Sequence, residues 1–408
     1  MESMTDWRTA AAPLTVAFDG DTHVLGRADR GVYVAVPEAG AIFIATLQET
    51  GSVADATARA SEAAGEEVDG LDFLTGLADA GLIDRPGADV ADPAAPPPDR
   101  RIRWIEGVSP RTAQRFFGRP AWTLYGAAAV FSVATLALRP DLRPHFEDLW
   151  YLTDPVLSLA LFIAASMVLG AVHEMWHWLA GRALGVPAVF RLSRRGVFLV
   201  LETDLTQVVT IHRRRRYGAY LAGLAFDGVV LAAALGARLA YRAGVLAWPP
   251  VLDRFLGAIA LGQVLTISWQ FAAVFARNDM YAVLANALRC HNLYRVTVLT
   301  TKDRLWRLTD DEALELAAAS QRDRRTARWF GVVFIAGMCL MWVVFLTFTL
   351  PYVAGMTAWL WTNLRSLTPT TLAFWESLFL LGLLLGGFVL PGALAWRERR
   401  LQHRQALL

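Results

Sequence analysis

One short segment of the sequence has the residue types and the spacing of a metal-dependent hydrolase. His173-Glu174-Met175-Trp176-His177 places two histidines four positions apart, with a glutamate directly after the first. On a helix, this separation puts both imidazoles on one face, roughly 40° apart, where they can share one tetrahedral zinc ion. Glu174 would act as general base toward a water molecule and then pass the proton to the leaving amine. The pattern therefore predicts a zinc peptidase.

A structural role is the alternative for these residues. They would form a polar patch where a helix leaves the bilayer, beside the interfacial side chains Trp176 and Trp178. Ionisable groups so closely spaced in an apolar segment are costly in a bilayer unless they converge on partners. We therefore prefer a functional site.

The composition of the chain predicts that this motif lies in a membrane protein. Of the 408 residues, 55% are hydrophobic and only 19% are charged, which is too apolar for a soluble chain of this length. Six apolar stretches each approach the ~20 residues that a helix needs to cross ~30 Å of hydrocarbon. They lie near 121–138, 156–180, 217–240, 255–276, 329–350 and 372–396. We expect a mainly α, six-helix polytopic membrane domain over 120–408, with the motif on its second span.

The distribution of arginine predicts how these spans are oriented. Arginine-rich segments precede the first span and follow the second, fourth and sixth, whereas the loops 241–254 and 351–371 are poor in arginine. Because cytoplasmic loops carry the excess of Lys and Arg, both termini are expected to be cytoplasmic in a cell membrane. The motif then lies near the cytoplasmic face. The net charge of only +2 and this clustering argue against nucleic-acid binding.

A catalytic zinc ion usually has a third protein ligand and leaves its fourth position to water. The candidates are Asp204, Asp227 and Asp279. Asp279 follows the fourth apolar stretch at a depth similar to that of the motif. Asp227 lies roughly 15 Å into the third stretch at ~1.5 Å per residue, and Asp204 would approach only if its loop folds back. Depth favours Asp279 and leaves the other two open.

Residues 1–85 are expected to form a small soluble domain ahead of the membrane part. Residues 1–12 lack the apolar core of a signal peptide. Val32, Val34 and Val36 alternate as in a half-buried strand. Helical spacing then predicts three short helices, near 42–47, after Ser52 and over 71–77. This order of elements indicates an α+β, winged-helix-like unit. Residues 86–119, rich in proline and arginine, are expected to form a linker.

Two β-prone runs, 189–192 and 197–201, follow the motif span and predict a hairpin at the membrane surface. An edge strand there would hold a substrate backbone extended beside the metal. An interfacial loop without a substrate role is the alternative. The arginines at 213–216 are expected to anchor the chain at anionic headgroups.

With these residues in view, the membrane part resembles the site-2 protease family, especially its bacterial branch of peptide zinc metalloproteases, over about residues 155–295. Residues 223–227 (Gly-Leu-Ala-Phe-Asp) are similar to a Gly-Pro-x-x-Asn-like motif of that family, without its Pro and with Asp in place of Asn. Residues 277–281 (Arg-Asn-Asp-Met-Tyr) resemble a Leu-Asp-Gly-Tyr segment, with Met in place of Gly. The resemblance implies that Asp279 is the third zinc ligand and that Asp227 belongs to packing or to a polar network.

The amino-terminal segment is similar to PqqD-like domains, which recognise the leader peptides of ribosomally made, modified peptides. The similarity rests on residues 39–47 and 77–83, the second of which ends in Ala-Gly-Leu-Ile. It implies that a leader peptide is bound here by strand addition. An accessory or dimerisation domain is the alternative.

The sequence thus predicts a zinc metalloendopeptidase that cleaves a peptide or a peptide precursor at the cytoplasmic face, in the maturation or export of a modified peptide. Regulated cleavage of a membrane-anchored protein is the alternative within the enzyme class. A non-catalytic peptide-binding or export component, in which the metal is absent or structural, is the alternative outside that class. The expected partners are the bilayer, the substrate and a leader peptide at the amino-terminal domain, with no nucleic acid.

Overall fold

The protein is mainly helical over the residues that its computed structural model describes, which are 4–19, 22–27, 30, 32–84, 108–186, 188–195, 198–366, 368–382, 386 and 393. The amino-terminal elements are α1 (Met4–Ala11), β1 (Thr15–Asp19), β2 (Thr22–Arg27), β3 (Val32–Val36), α2 (Glu38–Thr50), α3 (Val53–Ala64) and α4 (Gly70–Asp79). The later elements are α5 (Pro110–Gln114), α6 (Arg119–Leu138), α7 (Pro155–Leu184), β4 (Val189–Arg195), β5 (Phe198–Asp204), α8 (Arg213–Tyr220), α9 (Ala222–Arg242), α10 (Pro250–Ala272), α11 (Asp279–Leu288), α12 (Leu293–Leu305), α13 (Asp310–Ala318), α14 (Gln321–Val344), α15 (Leu350–Ser366) and α16 (Leu372–Gly382). Contacts divide the chain into two units, the first made of Met1–Gly118, His177–Val189 and Thr203–Tyr220 and the second of the remaining segments.

The three amino-terminal strands form an antiparallel sheet in the order β1-β2-β3. In this register Leu25 of β2 lies opposite both Val16 and Val34. The side chain of Leu25 is fully buried and belongs to one apolar core with Phe43 and Leu47 of α2. The strand predicted around Val34 is therefore confirmed.

Three helices follow this sheet close to the positions that the spacing predicts. α3 begins where the Ser52 hydroxyl accepts a hydrogen bond from the Asp55 N–H at 3.1 Å, which satisfies one donor that the start of a helix leaves open. α2 ends at Gly51, whose φ of 74° is left-handed and suits glycine. α1 is a further helix that the sequence pattern did not predict. The winged-helix-like arrangement stays a prediction.

The linker predicted at 86–119 lies mainly outside the described residues. Its described part contains α5, which begins at Ser109 with a hydrogen bond from the Thr112 N–H to the serine Oγ at 3.2 Å. Gln114 at the end of α5 donates from Nε2 to the Ala183 carbonyl at 3.1 Å. This end of the predicted linker is therefore attached to the first unit.

Among the described residues, five helices are long and apolar enough to cross a membrane, namely α6, α7, α9, α10, and α14 extended to Thr347. They coincide with the first five predicted apolar stretches and indicate a membrane protein. Of the sixth stretch, 372–396, the described part is α16 with residues 386 and 393, and the rest lies outside the described residues. The count of six spans therefore stays a prediction.

The prediction of a loop at 351–371 is wrong for most of that segment, because α15 covers it up to Ser366. α15 continues α14 through a π-helical turn at Phe345–Thr349. Pro351 has no N–H to donate to the carbonyl four residues earlier, and the wider turn just before it accommodates the proline ring. No further proline interrupts the segment up to Ser366, so the helix continues where a loop was expected.

The third span also begins later than predicted. Leu221, with φ −92° and ψ 0°, separates α8 from α9, so residues 217–220 belong to a separate helix. The carbonyl groups in the last turn of α8 therefore lack helical partners. One of these carbonyls contacts the histidine motif.

Two buried charged side chains, Arg238 and Asp253, and the exposed Arg242 form ion pairs near the end of α9. Nε of Arg238 donates to Oδ1 of Asp253 at 3.2 Å, and Nη2 of Arg242 donates to Oδ2 of the same carboxylate at 2.8 Å. Arg238 is 3% exposed and Asp253 is 4% exposed. We call Arg238, Arg242 and Asp253 the arginine cluster. It joins the end of α9 to the start of α10.

Candidate metal centre

The histidine motif lies on α7, as predicted. This helix starts beside Asp154, whose Oδ1 accepts hydrogen bonds from the N–H groups of Val156 and Leu157 at 2.8 and 3.0 Å. His173 and His177 are buried and lie one helical turn apart, which brings both imidazoles to one face. Glu174, next to His173 in the same helix, is half-buried.

The His173 ring lies between two carboxylates. Its Nδ1 is 2.9 Å from Oδ2 of Asp227, and its Nε2 is 3.2 Å from Oδ2 of Asp279. A neutral imidazole carries a proton on only one ring nitrogen, so it can donate to only one carboxylate. Asp227 is 2% exposed, and the Nδ1–H donated to it satisfies this buried anion. The Nε2 lone pair then faces Asp279, an arrangement that suits a cation between the two.

The ring of His177 is held by a backbone group. Its Nδ1 is 2.8 Å from the carbonyl oxygen of Ala219, in the last turn of α8. A carbonyl oxygen only accepts, so Nδ1 carries the proton and Nε2 keeps its lone pair. Both histidines of the motif therefore have Nδ1 engaged by an oxygen, as in metal sites whose ligating histidines donate their other N–H to an oxygen.

His173, His177 and Asp279 form a group whose ligand atoms all lie within 4.8 Å of one another, and we call these three residues the donor group. Two imidazole nitrogens and one carboxylate oxygen are a set that zinc accepts, leaving a fourth position open, and that other divalent metals also accept. The side chains present therefore fit a divalent metal ion. Asp227 contacts His173 and is not one of the three, and neither is Asp204 at the end of β5.

Local backbone structure positions Asp279 at the first turn of α11. Asn278 caps this helix, because its Oδ1 accepts a hydrogen bond from the Tyr281 N–H at 3.0 Å. Arg277, directly before the cap, has a left-handed φ of 59°, a conformation that favours glycine. Its guanidinium lies 5.0 Å from the centre of the Tyr294 ring, a cation–π contact that helps to hold this backbone.

Gln270 contacts Asp279, and sequence reasoning missed it. Its Nε2 donates to Oδ2 of Asp279 at 3.0 Å, and its Oε1 accepts from the Asp279 N–H at 3.1 Å. Gln270 is 9% exposed and lies near the end of α10. The available signal was an amide side chain inside an apolar span, which usually faces partners within the protein.

Tyr281 lies two residues past Asp279 and plays a different part. Burial raises the pKa of its hydroxyl to about 12. The hydroxyl oxygen accepts a hydrogen bond from the Tyr294 N–H at 2.8 Å. Tyr281 therefore stays neutral near pH 7 and joins α11 to α12.

The hairpin predicted after the motif span is confirmed, because β4 and β5 pair in a two-stranded sheet. Val197, in one of the predicted runs, lies outside the described residues. The expected role of this hairpin in holding substrate stays a prediction.

No protein-family model matches the chain, and comparison with curated proteins and with solved structures finds no significant match.

Proposed function

We propose that the protein is a membrane zinc metalloendopeptidase. The observation that carries the proposal is the donor group, His173, His177 and Asp279, with ligand atoms within 4.8 Å of one another. Glu174 lies beside the first histidine and is not one of the three. A glutamate next to two histidines and a carboxylate is a combination that can support metal-assisted hydrolysis of a peptide bond.

A bound zinc ion would polarise the scissile carbonyl and lower the pKa of an attacking water toward ~7. Glu174 takes a proton from that water as its oxygen bonds to the carbonyl carbon. The carbon–nitrogen bond then breaks, and Glu174 delivers the proton to the leaving amine. Asp227 and the Ala219 carbonyl orient the two imidazoles through their Nδ1 atoms, at 2.9 and 2.8 Å.

We infer that the substrate is a peptide or peptide precursor that is cleaved at the cytoplasmic face. The arginine-rich segments support this orientation through the positive-inside rule. In the amino-terminal domain, which we take to be winged-helix-like, β3 pairs with β2 and lies at an edge of the described sheet. A free edge is compatible with strand addition by a leader peptide. The β4–β5 hairpin would hold the cleavage segment extended.

The experiment uses the full chain and its Glu174→Gln variant, purified in detergent with zinc. Each is incubated with a mixture of synthetic peptides, including the product of any small open reading frame beside the gene, and fragments are followed by mass spectrometry. Wild type should release fragments, whereas the variant should hold the same amount of zinc and release none. Glu147→Gln, at an exposed position, is the matched control and should cleave like wild type. Fragments released by the Glu174 variant at the wild-type rate would refute the assignment.

The same proteins, tested also with a membrane-anchored reporter protein, distinguish two other functions from peptide cleavage. If wild type cleaves only a membrane-anchored reporter protein, the substrate is a membrane protein, as in regulated intramembrane cleavage. If wild type holds zinc and cleaves neither the peptides nor the reporter, the peptidase proposal is wrong and a non-catalytic peptide-binding or export component is favoured.

A further inference from the structure

We propose that Gln270 is a positioning residue that fixes the Asp279 carboxylate toward the metal. The inference rests on the metal centre of the proposed function and does not depend on peptide cleavage. It starts from a side chain that the sequence alone did not associate with the motif.

The amide of Gln270 makes two hydrogen bonds to the same residue. Nε2 donates to Oδ2 of Asp279 at 3.0 Å, and Oε1 accepts from the Asp279 N–H at 3.1 Å. The backbone N–H only donates and an ionised carboxylate only accepts, so a flipped amide would set donor against donor and acceptor against acceptor. The direction of the amide is therefore determined. Gln270 holds the carboxylate in place relative to its own backbone.

Asn278 also contacts Gln270, through the backbone of that residue. Its Nδ2 donates to the backbone carbonyl of Gln270 at 2.8 Å, while its Oδ1 caps α11 at the Tyr281 N–H. The end of α10 and the start of α11 are thus joined through two amide side chains. This connection gives Gln270 a fixed frame from which to hold Asp279.

The Asp279 carboxylate is more exposed than the buried side chains beside it. The Asp279 side chain is 25% exposed, against 3% for Asp227 and 11% for His173. A partly exposed carboxylate can rotate toward water, which would remove it from the donor group. A hydrogen bond to a ligating carboxylate typically changes metal affinity about 10–100-fold.

Gln263 provides a matched control on the same helix. It precedes Gln270 by two turns, so the two side chains lie on nearly the same face of α10. Gln263 is 5% exposed, and its Oε1 has no hydrogen-bond partner among the described residues. Both positions therefore hold a buried glutamine, but only Gln270 contacts the donor group.

The test compares Gln270→Met with Gln263→Met, because methionine keeps the length of the side chain and removes its hydrogen bonds. Zinc affinity is measured on the full chain in detergent by competition with a chromophoric chelator. The geometry of the site is measured from the visible d–d absorption of the protein saturated with cobalt. Gln270→Met should weaken zinc binding about 10–100-fold and alter the cobalt spectrum. Gln263→Met should stay within about twofold of wild type, with an unchanged spectrum.

A purely structural role would lower the thermal midpoint of Gln270→Met and leave the cobalt spectrum as in wild type, which would overturn the proposal. Equal zinc affinities of the two variants would also overturn it. If Gln270→Met does not fold, Gln270→Asn, with an amide withdrawn by about 1.5 Å, replaces it under the same criteria. A wild type that binds no zinc refutes the metal centre and this inference together. A wild type that binds zinc without cleaving peptides refutes only the peptidase.

Discussion

Two groups of charged side chains each contain a buried aspartate, Asp253 on α10 and Asp227 on α9, and these aspartates are balanced in different ways. In the arginine cluster, Arg238 and Arg242 both donate to Asp253, at 3.2 and 2.8 Å, so the chain supplies the cations. At the other group, Asp227 and Asp279 both contact the single ring of His173, at 2.9 and 3.2 Å. One neutral imidazole cannot donate to both carboxylates.

We take this difference to distinguish a structural group from the proposed metal centre. Burying a charge is costly unless it is paired, and the arginine cluster meets this requirement with its own side chains. In the second group the Nδ1–H of His173 is donated to Asp227, and the remaining Nε2 lone pair faces Asp279, an arrangement that suits a bound cation. We therefore interpret the first group as a connection between helices and the second as a metal centre.

The largest effect is expected from breaking the arginine cluster. Arg238→Met leaves the buried Asp253 with fewer cationic partners, and loss of one member of a buried ion pair typically costs about 3–5 kcal/mol. Denaturant unfolding in detergent should show this loss equally with zinc and with a chelator. Zinc affinity of the folded fraction should match wild type. If Arg238→Met has the stability of wild type but binds zinc poorly, the interpretation of the two groups as structural and metal-binding is wrong.

A smaller effect is expected from Asp227→Asn, which keeps the shape of the side chain and removes its charge. The amide oxygen of the new side chain would still accept from His173, but a neutral acceptor makes the imidazole a weaker ligand, so zinc affinity should fall about 10–100-fold. Chelator competition measures this change, and metal-free stability should fall less than in Arg238→Met.

Asp279→Ala removes one of the three proposed metal ligands and should lower zinc affinity further than Asp227→Asn does. The reverse ranking would make Asp227 the third ligand.

Hydrophobic periodicity was sufficient to predict much of the fold. The first five of the six apolar stretches matched the five helices that, in the described part of the chain, are long enough to cross a membrane, and the capping residue Ser52 marked the start of α3 correctly. These features are set by neighbouring residues, which the sequence displays directly. α15 was missed because an arginine-poor segment was read as an external loop, although an apolar segment can also continue a helix past Pro351.

The candidate site was predicted only in part, for a physical reason. His173, Glu174 and His177 lie on one helix, so their spacing was enough to group them. The contacts from Gln270 and from the Ala219 carbonyl depend on where α10 ends and where α8 stops. Such tertiary contacts leave no pattern in the spacing of residues.

The metal content of the purified full chain, measured by elemental mass spectrometry beside that of His177→Ala, shows whether the donor group holds zinc. We expect close to one zinc ion per wild-type chain and a large loss in the variant. Absence of stoichiometric zinc from the wild type, or equal zinc in both proteins, would contradict this expectation.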